Sequence, residues 1–123
     1  MPYKIAICDD EPLHIEKIRR ILQDEETDDY TSPALLWQAI ANGKRYDVLF
    51  LDIMMPVMDG LEATRRIRGL NRPDARTVPI FAMTANAFTE DRRRAYDSGM
   101  NEHLTKPLEP DTLLRTLAKY LQR

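Results

Sequence analysis

Asp47-Val48-Leu49-Phe50-Leu51-Asp52 holds four apolar residues in an unbroken run closed by an acid at each end. A strand with one wet face alternates apolar and polar residues, so a continuous run of this length reads as a strand covered on both faces. That places it inside a parallel sheet. Outward from it, Lys4-Cys8 and Pro79-Met83 share the same character, and weaker runs near Asp28-Thr31 and over Glu102-Thr105 bring the set to five.

Helical periodicity fills the intervals. Leu13, Ile18, Ile21 and Leu22 form a stripe after Glu11-Pro12. In the second interval Ser32 suits the N-cap, Pro33 the first helical position, Leu35, Leu36, Ala39 and Ile40 the core face, and Gly43 the end. Gly60 opens a third helix with Leu61, Ile67 and Leu70 on its core face, and Pro110-Asp111 opens a fifth with Leu113, Leu114, Leu117 and Leu121. The fourth runs from a Thr89 cap through Glu90 and Asp91 to Gly99, and its body is Arg92-Arg93-Arg94-Ala95-Tyr96. So little apolar surface predicts one of the least stable elements of the fold. Five strand-helix alternations predict an α/β, doubly wound parallel sheet with five helices on its two faces, whose ligands bind beyond the carboxyl ends of the strands.

At 123 residues, 43% hydrophobic and 31% charged, the chain has the size of one compact domain, and residues 1–123 are read as that domain. The net charge of −2 lacks the basic excess of a dedicated nucleic-acid binder. Residues 1–62 hold thirteen acids and six bases, and residues 63–123 seven acids and twelve bases, an asymmetry that scattered helical spacing assigns to solvated faces. No apolar run approaches the roughly 20 residues of a membrane span, and Met1-Pro2-Tyr3-Lys4 leads into no signal-peptide core, so the expected location is cytoplasmic. A single cysteine, Cys8, excludes an internal disulfide and reads as a small buried hydrophobe.

Polar residues sit where the apolar runs end: Asp9, Asp10 and Glu11, then Asp52, Thr84 and Lys106. Each alone has an ordinary explanation in a helix start, a turn or a solvated surface. All of them on the ligand-binding rim of one sheet point to chemistry. If the first and third strands are neighbours, three carboxylates converge, and they repel one another unless a proton or a cation intervenes. Oxygen-only ligands favour a hard ion, and Mg2+ accepts one or two carboxylates together with phosphate oxygens. Thr84 offers a hydroxyl and Lys106 a point charge for the remaining oxygens. Asp52, at the end of the most apolar strand, is the candidate nucleophile for an aspartyl phosphate. His14 reads as a helix-packing or surface residue, because two scattered histidines assemble neither a triad nor a metal site.

The segments Cys8-Asp9-Asp10-Glu11-Pro12, Leu51-Asp52-Ile53-Met54-Met55-Pro56-Val57-Met58-Asp59-Gly60, Met83-Thr84-Ala85 and Lys106-Pro107 resemble, in that order and spacing, the response-regulator receiver domains of two-component signalling. The resemblance covers essentially the whole chain. It implies a flavodoxin-like sheet in the order 2-1-3-4-5 and phosphoryl transfer to Asp52 from a histidine kinase or phosphotransfer protein. Mg2+ would be held by Asp10, Asp52 and the Met54 carbonyl, with Asp9 acting largely through water. Thr84, Lys106 and the backbone of Ala85 would bind phosphoryl oxygens, and Lys106-Pro107 would be a cis peptide. Slow self-catalysed dephosphorylation would follow.

In the family, output couples Thr84 to an aromatic residue three positions before the lysine. Here that residue is His103, smaller and titratable, which makes pH sensitivity of the switch an expectation to test. The fourth helix, fifth strand and fifth helix would form the surface for an output domain or a homodimer, with no direct contact to nucleic acid or membrane. The chain ends at Arg123 soon after the fifth helix, so no output domain is expected within it. Ile5 to Glu11 is similar to receivers of LytTR-type regulators, whereas Met83 to Phe88 and Gly99 to Asn101 look like receivers of hybrid histidine kinases. Three alternatives stay open at this point: a haloacid dehalogenase-like Mg2+-dependent phosphatase, a flavin-binding module of the same fold, and a degenerate receiver serving as a scaffold.

Overall fold

A computed structural model describes residues 2–53, 59–85 and 89–121. The elements in chain order are β1 (Lys4–Cys8), α1 (Pro12–Ile21), β2 (Glu26–Tyr30), α2 (Pro33–Ala41), β3 (Val48–Asp52), α3 (Gly60–Arg68), α4 (Pro73–Thr77), β4 (Ile80–Thr84), α5 (Thr89–Ser98), β5 (Glu102–Thr105) and α6 (Pro110–Ala118). The five strands form one parallel sheet in the order β2-β1-β3-β4-β5. This is the expected doubly wound order, with the chain reversing direction across the sheet between β1 and β3.

Local chemistry explains where the helices begin. Four of them start on a proline, Pro12, Pro33, Pro73 and Pro110, whose fixed φ suits the first turn and whose missing N–H is not needed there. Ser32 caps α2 by accepting from the Leu35 N–H, and Asp59 caps α3 by accepting from the Glu62 N–H at 2.9 Å. Gly43 and Gly99 take positive φ after α2 and α5 and let the chain turn out of the helix.

Successive residues of each strand feed opposite faces of the sheet. Ala6, Cys8, Leu49, Leu51, Ile80 and Ala82 pack with Leu36 and Ile40 of α2, Leu61 and Ile67 of α3, and Ala95 of α5. On the other face, Ile5, Ile7, Val48, Phe50, Phe81, Met83 and Leu104 pack with Ile15 and Ile18 of α1 and Leu113 and Leu117 of α6. The same alternation extended to the strand ends puts Asp9 after Ile5 and Ile7, Asp52 after Val48 and Phe50, and Lys106 after Leu104. All three therefore belong to the α1/α6 face.

Several expectations are corrected. The second strand is Glu26–Tyr30, three residues of which are exposed, because it is the sheet edge and needs no apolar run. Asp52 and Thr84 are the last residues of their strands and do not follow them. A sixth helix, α4, was not expected; five residues are too few to show periodicity, and Pro73 was its only signal. The helices numbered four and five by sequence are therefore α5 and α6. Leu13, Leu35 and Leu114 are exposed and do not belong to the core stripes, whereas Ile15, at the core-facing position of α1, is buried. Leu70 lies just beyond α3. The capping reading of Thr89 falls on a side chain outside the described set. In α5, Ala95 and Ser98 are the buried residues from Glu90 onward, consistent with its sparse anchoring.

A node at the opposite end from the strand carboxyl termini had no counterpart in the sequence reading. Arg68, at the end of α3, donates to the Gly99 carbonyl, to the Ala75 carbonyl and to Asn101 Oδ1, and Asn101 Oδ1 also accepts from the Ile80 N–H. One guanidinium thus ties α4 to the turn between α5 and β5, and Asn101 carries the link on to the start of β4. Burial lowers its pKa from the ordinary arginine value.

Candidate functional site

The site is built by strand register. Cys8 pairs with Leu51, so the next step along both strands brings Asp9 beside Asp52, and Asp52 pairs with Met83 on the other side. Asp9 is held from both ends, its N–H bonding to the Tyr30 carbonyl and its Oδ1 accepting from the Glu11 N–H at 2.9 Å. Asp10 is exposed beside it. Carboxylate oxygens of Asp9, Asp10 and Asp52 all lie within 4.8 Å of one another.

Lys106 closes the cluster. Its Nζ donates to Asp52 Oδ2 at 2.8 Å and to Asp9 Oδ2 at 2.9 Å, and the lysine, Asp9 and Asp52 side chains are only 10%, 0% and 6% exposed. Burial works against the ammonium charge, but the bonds to Asp52 and Asp9 outweigh it and raise the lysine pKa above its ordinary value. The charge is therefore fixed at neutral pH. Cys8, directly before Asp9, is pushed up to about 12 by burial first and then by Asp9, Asp52 and Asp10, so its thiol stays protonated and unreactive.

Thr84 is buried at the end of β4, and its carbonyl accepts from the Lys106 N–H, which ties the β4 end to the β5 end. Ala85 is exposed at the cleft, and the Lys106-Pro107 peptide is cis. A cleft of about 430 Å³ lined by Asp10, Glu11, His14, Asp52, Ala85, Lys106 and Pro107 opens over these groups. Gly60 also serves the site, since a Cβ there would lie 2.5 Å from the Asp52 carbonyl oxygen. Only a residue without a side chain lets α3 start against the Asp52 backbone. Met54, whose carbonyl the resemblance assigns to the metal, lies outside the described residues.

His14, read from sequence as a surface or helix-packing residue, also borders the cleft. One turn into α1 after the acids, it lines the cleft, with Nδ1 3.5 Å from Asp9 Oδ2 and 3.4 Å from Glu11 Oε2. The signal available was the three-residue spacing from Glu11, which brings the two side chains to one side of a helical turn.

The family scan matches residues 5–118 to the response regulator receiver domain. This chain belongs to that family. The receiver is 37% identical over 117 residues to an uncharacterised 14.6 kDa protein of Leptolyngbya boryana, covering 94% of this chain and 88% of that protein. It is 35% identical over 127 residues to the sensor histidine kinase RcsC of Salmonella typhimurium, covering 97% of this chain and 12% of the kinase. It also matches hybrid signal transduction histidine kinase L of Dictyostelium discoideum at 34% over 122 residues, where it spans 95% of this chain but 7% of the kinase.

Among solved structures, the receiver domain of a Pseudomonas aeruginosa sensor histidine kinase, crystallised with a magnesium ion coordinated in its active-site cleft, superposes with a TM-score of 0.86 at 32% identity, covering 98% of each chain. The chemotaxis protein CheY4 of Vibrio cholerae superposes at 0.88 with 28% identity, covering 98% of this chain and 100% of that one. Membership of this family displaces the haloacid dehalogenase and flavin alternatives. Among the described residues no helix is long and apolar enough to cross a membrane.

His103 of this receiver pairs with Ala82, two residues before Thr84 on the same face of β4. Its Nε2 is shielded from solvent and makes no hydrogen bond among the described residues. Burial lowers its pKa below the ordinary value, nearby Arg92 of α5 lowers it further, and Asp91 opposes both. The unfolded chain therefore binds this proton more readily than the folded one. Stability is full above the unfolded value of about 6.5 and falls as pH drops through the lower folded value. Thermal unfolding of wild type and His103→Phe should diverge below that pH, the wild type losing more; parallel curves would remove His103 from the acid response.

Proposed function

We propose that this receiver domain accepts a phosphoryl group on Asp52 from a phosphohistidine of a histidine kinase or phosphotransfer protein. The observation that carries the reading is Lys106 Nζ bridging Asp52 and Asp9 at 2.8 and 2.9 Å under an open cleft. A nucleophilic carboxylate and the cation that can follow its charge are already in contact.

In the step itself, an Asp52 carboxylate oxygen forms a bond to phosphorus while the donor's phosphorus–nitrogen bond breaks, and the departing imidazole takes a proton from solvent. Lys106 exchanges a carboxylate contact for a phosphoryl oxygen, and the Thr84 hydroxyl and the Ala85 N–H bind the other oxygens. Asp9 and Asp10 provide oxygen-only donors within 4.8 Å of Asp52, a set that fits a hard divalent ion such as Mg2+. Asp9, Asp10 and Asp52 would hold it, with the Met54 carbonyl as the family resemblance implies. When bound, the ion supplies positive charge against the oxygens that gather at the transferring phosphoryl group.

The phosphoryl group biases a two-state element. Moving such an equilibrium from 1:99 to 99:1 takes about 5.5 kcal/mol of differential contact, and contacts to Thr84 and Lys106 contribute part of it. The weakly anchored α5, together with β5 and α6, is the surface whose change a partner reads, whether an output domain or a second copy. Residues 1–123 act as one such module, in the cytoplasm, and the acyl phosphate is lost slowly by water attack within the same cleft.

Incubation with acetyl phosphate and Mg2+, followed by intact-mass measurement, tests this. The wild type gains the mass of one phosphoryl group and Asp52→Asn gains none. No gain in the wild type, or an equal gain in the Asn variant, removes Asp52 as the acceptor. A scaffold role without phosphorylation predicts the first of those results.

A further inference from the structure

A second set of ligand-type side chains shares Asp9 with the cluster under Lys106 and lines the same cleft. Glu11 precedes α1 and His14 lies in its first turn, and one ligand atom from each of Asp9, Glu11 and His14 falls within 4.8 Å of the others. His14 Nδ1 points between the two carboxylates, 3.4 Å from Glu11 Oε2 and 3.5 Å from Asp9 Oδ2. The atom is shut off from solvent and makes no hydrogen bond among the described residues, its nearest acceptors being those two carboxylates at ion-pair distance, although the imidazole as a whole is 31% exposed.

Nitrogen–oxygen hydrogen bonds centre near 2.9 Å, so both contacts are long. Two ligands about 2.1 Å from a common ion in tetrahedral arrangement stand about 3.4 Å apart. The observed values match ligand atoms around a shared centre, and they are also those of an imidazolium paired with two carboxylates.

We propose that Asp9, Glu11 and His14 form a second divalent-cation site, selective for a borderline ion of the Zn2+ or Co2+ type over Mg2+. The imidazole nitrogen sets this preference, because Mg2+ takes oxygen ligands whereas Zn2+ and Co2+ take imidazole with carboxylate. The acid-x-x-His spacing at one helical turn is also the arrangement by which helices supply ligand pairs to carboxylate-bridged metal centres. Solvent in the adjoining cleft completes the coordination. Asp9 Oδ2 is shared with Lys106, so an ion here competes for the carboxylate that Lys106 holds. The inference stands on the His14 geometry and does not require that Asp52 be phosphorylated.

Titration of the 123-residue protein with Co2+ in excess Mg2+, read by visible ligand-field absorption, tests the site directly. The wild type should give the intense spectrum of tetrahedral Co2+, abolished by added Zn2+. His14→Gln should weaken Co2+ affinity at least tenfold while keeping the circular dichroism of a folded domain. Asp52→Asn, which leaves all three proposed ligands in place, should retain the spectrum. Equal Co2+ binding by His14→Gln and wild type overturns the proposal, as does loss of the spectrum in Asp52→Asn, which would assign the ion to the Mg2+-type cluster. Should His14→Gln unfold, the wild-type His14 imidazole resonances decide: they move on stoichiometric Zn2+ if the site exists and stay in place if it does not. Phosphoryl labelling by acetyl phosphate is read separately, so either reading can fail alone.

Discussion

Replacing Lys106 with Met lowers the stability of the metal-free domain by about 3 to 5 kcal/mol, the range for breaking a buried ion pair from one side, and abolishes labelling at Asp52. The lysine Nζ is the cation seen between Asp9 and Asp52, and both carboxylates are almost wholly buried. Met fills much of the same volume, so the loss measures charge more than packing. Two neighbouring, largely buried carboxylates lose the cation that bridges them.

Urea unfolding with and without Mg2+ separates the contributions. Mg2+ raises the midpoint of Lys106→Met by more than it raises the wild type, because in the variant the ion replaces a missing positive charge as well as neutralising the acids. Acetyl phosphate produces no labelled variant even when Mg2+ has restored the fold, since no ammonium follows the transferred oxygens. A variant within about 1 kcal/mol of wild type, the scale of an exposed pair, would mean that Lys106 does not hold these acids together.

Gly60→Ala is the second large effect, and it acts through space. A Cβ at this position stands 2.5 Å from the Asp52 carbonyl oxygen and 3.1 Å from both the Asp52 carbonyl carbon and the Ile53 Cα. These are backbone atoms, so no rotamer change relieves the contact. Overpacking of this kind costs about 1 to 3 kcal/mol or more, and alanine's advantage over glycine within a helix is at most about 1 kcal/mol.

The loss therefore prevails, and β3 and α3 separate at the acceptor residue. Thermal unfolding should fall by several degrees, and the rate of labelling by acetyl phosphate at least tenfold. Gly43→Ala is the control. It places a side chain at φ +111° with open space around it, so it loses stability through backbone strain while labelling continues at the wild-type rate. Equal labelling rates in the two variants would remove any special demand of the Asp52–Gly60 contact.

Much of this molecule is written in short-range pattern. The Val48-Leu49-Phe50-Leu51 run marks a strand buried on both faces, because burial on two sides leaves no position for a polar side chain. Pro12, Pro33 and Pro110 mark helix starts for a reason that lies within one turn of chain. Asp9, Asp10, Asp52, Thr84 and Lys106 were legible as polar interruptions where those runs stop. Edge and marginal elements were not: β2 is polar because an edge strand need not be covered, and α4 is too short for a period to repeat.

Leu13 shows the limit in the other direction. It fits a helical stripe by spacing yet stands in solvent, because the width of the buried stripe is set by the neighbouring elements that cover it. The distances that make a site out of these residues required the assembled sheet. Asp9 and Lys106 are separated by 97 positions and meet at 2.9 Å because β1, β3, β4 and β5 lie side by side in that order. Arg68 reaches Gly99 and Asn101 by the same route, whereas His14 meets Asp9 locally, across the turn from β1 into α1. Periodicity fixes which face of an element a side chain takes, since that depends on the chain's own geometry. Which elements become neighbours depends on long-range packing and crossover, and that decided where the charges meet.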